Sequence, residues 1–262
     1  MTRPEDDLAT LVADLRALTE AAAAAGHDVL SLDTAIEGLS SEASLATGDS
    51  AVAPHTGWSS IARDVRAAPV VGEAGLSAIR QDLGDCRRCK LHKGRRSIVF
   101  GVGSPDADLV VIGEAPGFHE DRTGEPFVGR AGEMLDKMLK NVLQVDRQST
   151  AYILNVVKCR PPDNRDPEPD EVASCRPFLE RQLDALQPKV MLVLGRVALQ
   201  TLFDEPRASI RRARGQWRAY RGVPVMPTYH PAYLLRQPQE KRATFDDLKA
   251  VRARYDELGG RH

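Results

Sequence analysis

Leu109-Val110-Val111-Ile112-Gly113-Glu114-Ala115-Pro116-Gly117, with Gly124-Glu125-Pro126-Phe127-Val128-Gly129-Arg130-Ala131-Gly132 soon after, decides how this chain is read. The first four residues form a short continuous apolar run, as expected of a strand buried on both faces. The loop that follows is dense in glycine, proline and acid. Beyond it, Met134, Leu135, Met138, Leu139 and Val142 recur at helical spacing. A strand that enters such a loop and then a helix is where open α/β sheets place their ligands, at the carboxyl ends of the strands. Glycines allow close backbone approach, and helix N-termini present N–H groups to anionic or carbonyl oxygens.

The same alternation runs through residues 76–262. Helices are expected at 76–84, 130–143, 168–186, 196–203 and 238–258. Strands are expected at 97–101, 109–113, 152–157, 190–194 and 223–227. Strands separated by helices predict a three-layer α/β/α sandwich around a central, mainly parallel four-stranded sheet. Ahead of it, Leu8, Leu11, Val12, Leu15 and Leu18 give helical spacing over 5–25, and residues 39–60 are rich in Ser, Ala, Gly and Thr, as a linker is. Residues 1–75 therefore read as an acidic extension, helical and partly disordered, and 76–262 as the folded domain.

Charge follows the same division. Residues 1–79 hold 4 Lys/Arg against 12 Asp/Glu, and residues 80–262 hold 32 against 25. A basic body is compatible with a polyanion such as nucleic acid, although solvated faces account for such charge equally well. No apolar run reaches the length of a membrane span, and the acidic start lacks a signal-peptide core, so a cytoplasmic setting is expected. There a disulfide is the less expected use of Cys86, Cys89, Cys159 and Cys175. Their arrangement, C-x2-C and then C-x15-C, suits tetrahedral zinc or an iron–sulfur cluster, and spacing does not choose between them.

Further candidates fall at predicted strand ends. Asn155 interrupts the apolar run Tyr152–Val157, and a buried amide must be hydrogen-bonded or cost about 1–3 kcal/mol. It can read a nucleobase edge or pin a loop. His230 follows a strand and precedes a proline-started helix. Arg207–Arg221, with six arginines, Trp217 and Tyr220, is able to follow a phosphate backbone or to form a solvated hairpin. The Pro-rich stretch Arg160–Arg165 is turn-forming. A Walker A loop, G-x-S-x-G and H-E-x-x-H are all missing.

Taken in order, C-x2-C at 86/89, G-E-A-P-G at 113–117, P-F-V-G at 126–129, Asn155, C-x15-C at 159/175 and His-Pro-x-x-Leu-Leu-Arg at 230–236 resemble the type-4, iron–sulfur uracil-DNA glycosylases. The resemblance covers roughly residues 80–255. It implies base excision repair: uracil leaves the DNA stack, enters a pocket and is cut from its sugar, leaving an abasic site. On this resemblance Gly113, Glu114 and Ala115 line the pocket, Phe127 stacks on uracil and Asn155 reads its O4/N3–H edge. Side chains near Glu120 exclude thymine at C5. His230 stabilises charge on uracil O2 as an oxyanion hole does. Glu114 or Glu120 orients the water, Ala115 standing where the best-known branch has a catalytic Asp. Leu234, Leu235 and Arg236 act as a DNA wedge. The four cysteines hold a structural [4Fe–4S] cluster. A related branch traps uracil-DNA through a His in an inserted Arg-Arg-Ile-His loop. Residues 158–167 carry no such insertion, so turnover is expected. A monomer acting on single- or double-stranded DNA is implied, with residues 1–75 free to contact a replication or repair partner. The rival classes are a non-catalytic iron–sulfur DNA-binding protein and a zinc-dependent nucleic-acid module.

Overall fold

The computed structural model describes residues 70–261. The expected helix at 5–25, the linker at 39–60 and the extension through residue 69 lie outside the described residues.

Four parallel strands form the middle of the sheet: β2 (Leu109–Gly113), β3 (Ala151–Asn155), β4 (Val190–Leu194) and β6 (Val223–Thr228). Two antiparallel edge strands were not anticipated as such, β1 (Val102–Gly103) beside β3 and β5 (Arg218–Tyr220) beside β6. The order is β1-β3-β2-β4-β6-β5, a mixed sheet of six strands. The strand expected at 97–101 is displaced to Val102–Gly103. A side chain at Gly103 would meet the Ala151 carbonyl oxygen at 2.1 Å, so close pairing with β3 requires glycine there. The arginine-rich segment supplies β5 and turns back through Arg221-Gly222, both at positive φ.

Alternation along β2 explains the layers. Val110 and Ile112 face one apolar cluster with Leu154, Met191 and Val193; helices α1 (Gly72–Leu83), α4 (Pro169–Leu186) and α5 (Arg196–Phe203) cover it. Leu109 and Val111 face a second cluster with Ile153, Leu192 and Met226. It is covered by α3 (Arg130–Met138), α7 (Pro231–Arg236) and α8 (Lys241–Glu257). Strands buried on both faces read as uninterrupted apolar runs, which is why the central four were legible. Two short helices complete the set, α2 (Phe118–Thr123) and α6 (Ile210–Ala213). No helix among the described residues is long and apolar enough to cross a membrane.

The parallel register brings the chemistry together. Gly113 pairs with Asn155 and Leu194 with Thr228, so loop 113–117, Asn155, Gly195 and His230 emerge at the same sheet edge.

Candidate functional site

At that edge lies a cavity of about 420 Å³. Its lining includes Glu114, Ala115, Gly117, Glu120, Phe127, Asn155, Asp166, His230, Tyr233 and Arg236. Six of these were expected from the sequence as pocket, water-orienting or oxyanion residues, and Arg236 as a wedge. Gly113 stands behind the wall: a Cβ there would lie 2.3 Å from Asn155 Oδ1 and 2.6 Å from Phe127 Cζ. Its part is to let those two side chains close over the strand end.

Phe127 is 5% exposed and has φ 56°, a left-handed conformation that a bulky residue adopts only under constraint. Arg147 supplies one constraint, donating from Nη1 to the Phe127 carbonyl oxygen at 2.8 Å and from Nη2 to that of Pro126. Gly132 supplies another, since a Cβ there would sit 1.8 Å from the Phe127 oxygen. So held, the Phe127 ring lies 5.6 Å from that of His230, with 29° between their planes.

Asn155 is 1% exposed, and its Oδ1 has no hydrogen-bond partner within the protein. A buried unpaired amide oxygen costs about 1–3 kcal/mol, a penalty that a ligand N–H entering the cavity would remove. Lys158, fully buried, steadies this residue from behind by donating from Nζ to the Asn155 carbonyl oxygen at 2.7 Å. Nothing in the local sequence marks that link.

His230 caps α7, its Nδ1 accepting from Ala232 N–H at 3.1 Å. With Nδ1 an acceptor, the neutral ring carries its proton on Nε2. Burial, with Arg236 adding to it, pushes the imidazole down to about 4, although Glu120 opposes the shift. The ring is therefore a neutral N–H donor near pH 7.

The two carboxylates divide. Glu120 Oε1 accepts from Val128 N–H (2.9 Å) and Gly129 N–H (3.0 Å), and Oε2 accepts from Gly117 N–H (3.1 Å). It fastens the two halves of the loop, and its oxygens are occupied by backbone amides. Glu114 is pushed up to about 7, by burial first and then by the neighbouring charge and hydrogen bond of Asp166, with Arg196 opposing. Asp166 is itself ion-paired with Arg196. The turn-forming segment contributes Pro161, Asn164 and Arg165 to the cavity wall, and Asp166 follows directly after it.

One wedge expectation fails on burial. Leu234 is 1% exposed within the second core cluster, so it cannot enter DNA without leaving the core. Leu235 is half-buried and Arg236 exposed on the same short helix. Tyr233, which the sequence reading passed over, lines the cavity with its ring 4.8 Å from Tyr229. In the basic segment, Arg214, Arg218 and Arg221 are spent on ion pairs with Asp247, Glu205 and Asp184. That leaves them poorly placed to follow a phosphate backbone.

All four cysteines are free thiols packed against the first core cluster. Donors point at three of their sulfurs: Lys158 N–H at Cys175 Sγ (3.3 Å), Arg95 Nη1 at Cys159 Sγ (3.5 Å) and Arg88 Nη1 at Cys86 Sγ (3.5 Å). Burial pushes the Cys159 thiol up to about 11. Among the described residues, no group of three or more His, Cys, Asp or Glu is gathered closely enough to hold a single metal ion.

The α/β sheet thus gathers a buried Phe127, a buried Asn155 and a neutral His230 around one cavity. The sequence pattern of the Uracil DNA glycosylase superfamily matches residues 100–250, more than half of the chain, and the chain belongs to that superfamily. It is 42% identical over 184 residues to the type-4 uracil-DNA glycosylase of Sulfurisphaera tokodaii, covering 68% of this chain and 83% of that protein. Against the type-4 enzyme of Archaeoglobus fulgidus the identity is 44% over 183 residues (67% and 91%). Against that of Thermotoga maritima it is 39% over 183 residues (68% and 93%). Within the superfamily, the chain is a type-4 member.

Proposed function

We propose that this protein excises uracil from DNA by hydrolysing its N-glycosidic bond, in base excision repair. The observation that carries the reading is the partnerless Oδ1 of Asn155, buried at the wall of a cavity flanked by Phe127 and His230. Uracil presents an N3–H donor beside the O4 acceptor, the complement of an amide Oδ1/Nδ2 pair; cytosine presents an acceptor at N3 and a donor at N4. A flipped uracil would stack on Phe127 with that edge against Asn155.

As the bond breaks, the sugar becomes cationic and the departing base anionic, with charge on O2. The neutral Nε2–H of His230 would donate to that oxygen, and it needs no proton from solvent to do so. Glu114, as carboxylate, would accept a hydrogen bond from the attacking water and face the cationic sugar. Glu120, with its oxygens committed to loop amides, would hold the loop that presents both. The same carboxylate lies 2.8 Å from the position of a Gly117 Cβ and so crowds the loop there, where on this reading it would help exclude the C5 methyl of thymine.

The donor set fits a [4Fe–4S] cluster held by Cys86, Cys89, Cys159 and Cys175: four thiols on one side of the sheet, three of them with N–H groups aimed at sulfur. When bound, such a cluster would tie the 86–89 segment to the chain just after Asn155 and supply no chemistry to the hydrolysis. A cytoplasmic monomer acting on DNA is the setting this reading implies. The test is a labelled oligonucleotide with one deoxyuridine, treated with alkali after incubation, beside matched thymine and cytosine strands. Cleavage of the uracil strand alone supports the proposal, and no cleavage by soluble, folded protein defeats it.

A further inference from the structure

Phe118 is an aromatic side chain that the uracil site does not use, and it is 45% exposed. It is the first residue of α2, directly after Gly117, which lines the cavity. Two guanidinium groups lie against its ring, Arg160 at 5.2 Å and Arg122 at 5.7 Å from the centroid. Arg160 Nε donates to Asn164 Oδ1 at 2.8 Å, and Asn164 and Pro161 both line the cavity. Neither arginine is paired with a carboxylate among the described residues, unlike those of the 214–221 hairpin. A second cleft, lined by Lys93, Arg160, Asp163 and an ion-paired Lys90, shares Pro161 with the cavity wall.

An exposed ring in a folded surface needs a reason only when it belongs to an organised patch. Here the patch combines a π face and two planar cations without carboxylate partners, next in the chain to residues that line the proposed uracil cavity. Stacking faces interleaved with cations are how proteins hold single-stranded nucleic acid without reading its sequence. Flipping a base also leaves its neighbour with one exposed face and brings its flanking phosphates to the cavity rim. We propose that Phe118 is a stacking platform for the base adjacent to the flipped nucleotide, with Arg122 and Arg160 contacting the intervening phosphates. The proposal rests on the glycosylase reading and extends it, assigning the protein a grip on the strand that is independent of the excised base.

The experiment compares wild type, Phe118→Ala and Phe118→Trp on deoxyuridine strands whose 5′ or 3′ neighbour either keeps or lacks its base. On the complete strand Phe118→Ala is expected to raise the half-saturating DNA concentration about tenfold, as loss of one base–aromatic stack does, and Phe118→Trp to restore it. On the strand missing the stacked neighbour, wild type is expected to fall to the level of Phe118→Ala. The same contrast is read without chemistry, by fluorescence anisotropy on strands carrying a tetrahydrofuran residue in place of deoxyuridine. Absence of uracil release by wild type with the anisotropy contrast intact would defeat the glycosylase reading and leave the platform. Equal anisotropy for all three proteins, or an alanine defect that persists when the neighbouring base is missing, would overturn the platform.

Discussion

Arg147 holds the carbonyl oxygen of Phe127 at 2.8 Å from a position 20 residues further along the chain. The contact explains how a bulky aromatic keeps a left-handed backbone at the cavity wall, a conformation that costs about 1–3 kcal/mol. Arg147 also reaches Asp136 at 2.9 Å and so ties the Phe127 turn to α3. Arg147→Ala is expected to destabilise the protein by about 2–3 kcal/mol, the scale of hydrogen bonds from a charged donor, and to slow uracil release through a misplaced ring. Thermal unfolding together with single-turnover rates checks this. A variant with native stability and native rate would show that the turn holds itself.

Asn155→Asp replaces the amide donor with a second acceptor while keeping the shape. Discrimination between uracil and cytosine is expected to weaken, measured as the ratio of release rates from matched strands. An unchanged ratio would remove Asn155 from base reading.

The pH dependence follows from Glu114 and its neighbours. Burial and Asp166 push Glu114 up to about 7, so the carboxylate form is lost as pH falls through that value. His230, pushed down to about 4, stays neutral across the same range. The single-turnover rate is therefore expected to rise about tenfold per pH unit on the acid side and to level off above about pH 7. Asp166→Asn should move that limb to lower pH by removing the neighbouring negative charge, although Arg196 then loses its partner and draws Glu114 lower still. Glu114→Gln should abolish the limb and leave a slow, flat profile. A wild-type rate that falls as pH rises from about 5 to 7 contradicts the assignment.

Purified protein is expected to be brown and to contain iron and labile sulfide in equal amounts. Cys159→Ala is expected to lose both, along with solubility, because Cys159 is buried against the first core cluster. Colourless wild type with full stability would contradict the cluster.

Much of the fold was legible because its strands are buried on both faces. Leu109–Ile112 and Val190–Leu194 have no polar residue to confuse the period, and the helices between them are long enough to repeat. The edges were not. β1 has two residues and β5 three, with half-exposed side chains whose composition reads as loop. In the site, Glu114, Phe127, Asn155 and His230 stand within recognisable local patterns. Arg147, Lys158, Asp166 and Tyr233 do not, because they act through contacts that only the folded chain makes. Glu120 shows the converse limit: sequence supplies an acid beside a cavity, and only the amides on its oxygens reveal what it holds. Leu234 was misplaced because α7, six residues long, is too short to display a periodic buried face.

The most direct measurement is single-turnover release of free uracil from a deoxyuridine strand by wild type and His230→Ala, with DNA affinity measured for both. The expected result is release by wild type, a loss of about 10²–10³ in rate for the variant, and nearly equal affinity, because the Nε2–H acts on charge that appears only as the bond breaks. Equal rates, or rate and affinity falling together, would contradict the account.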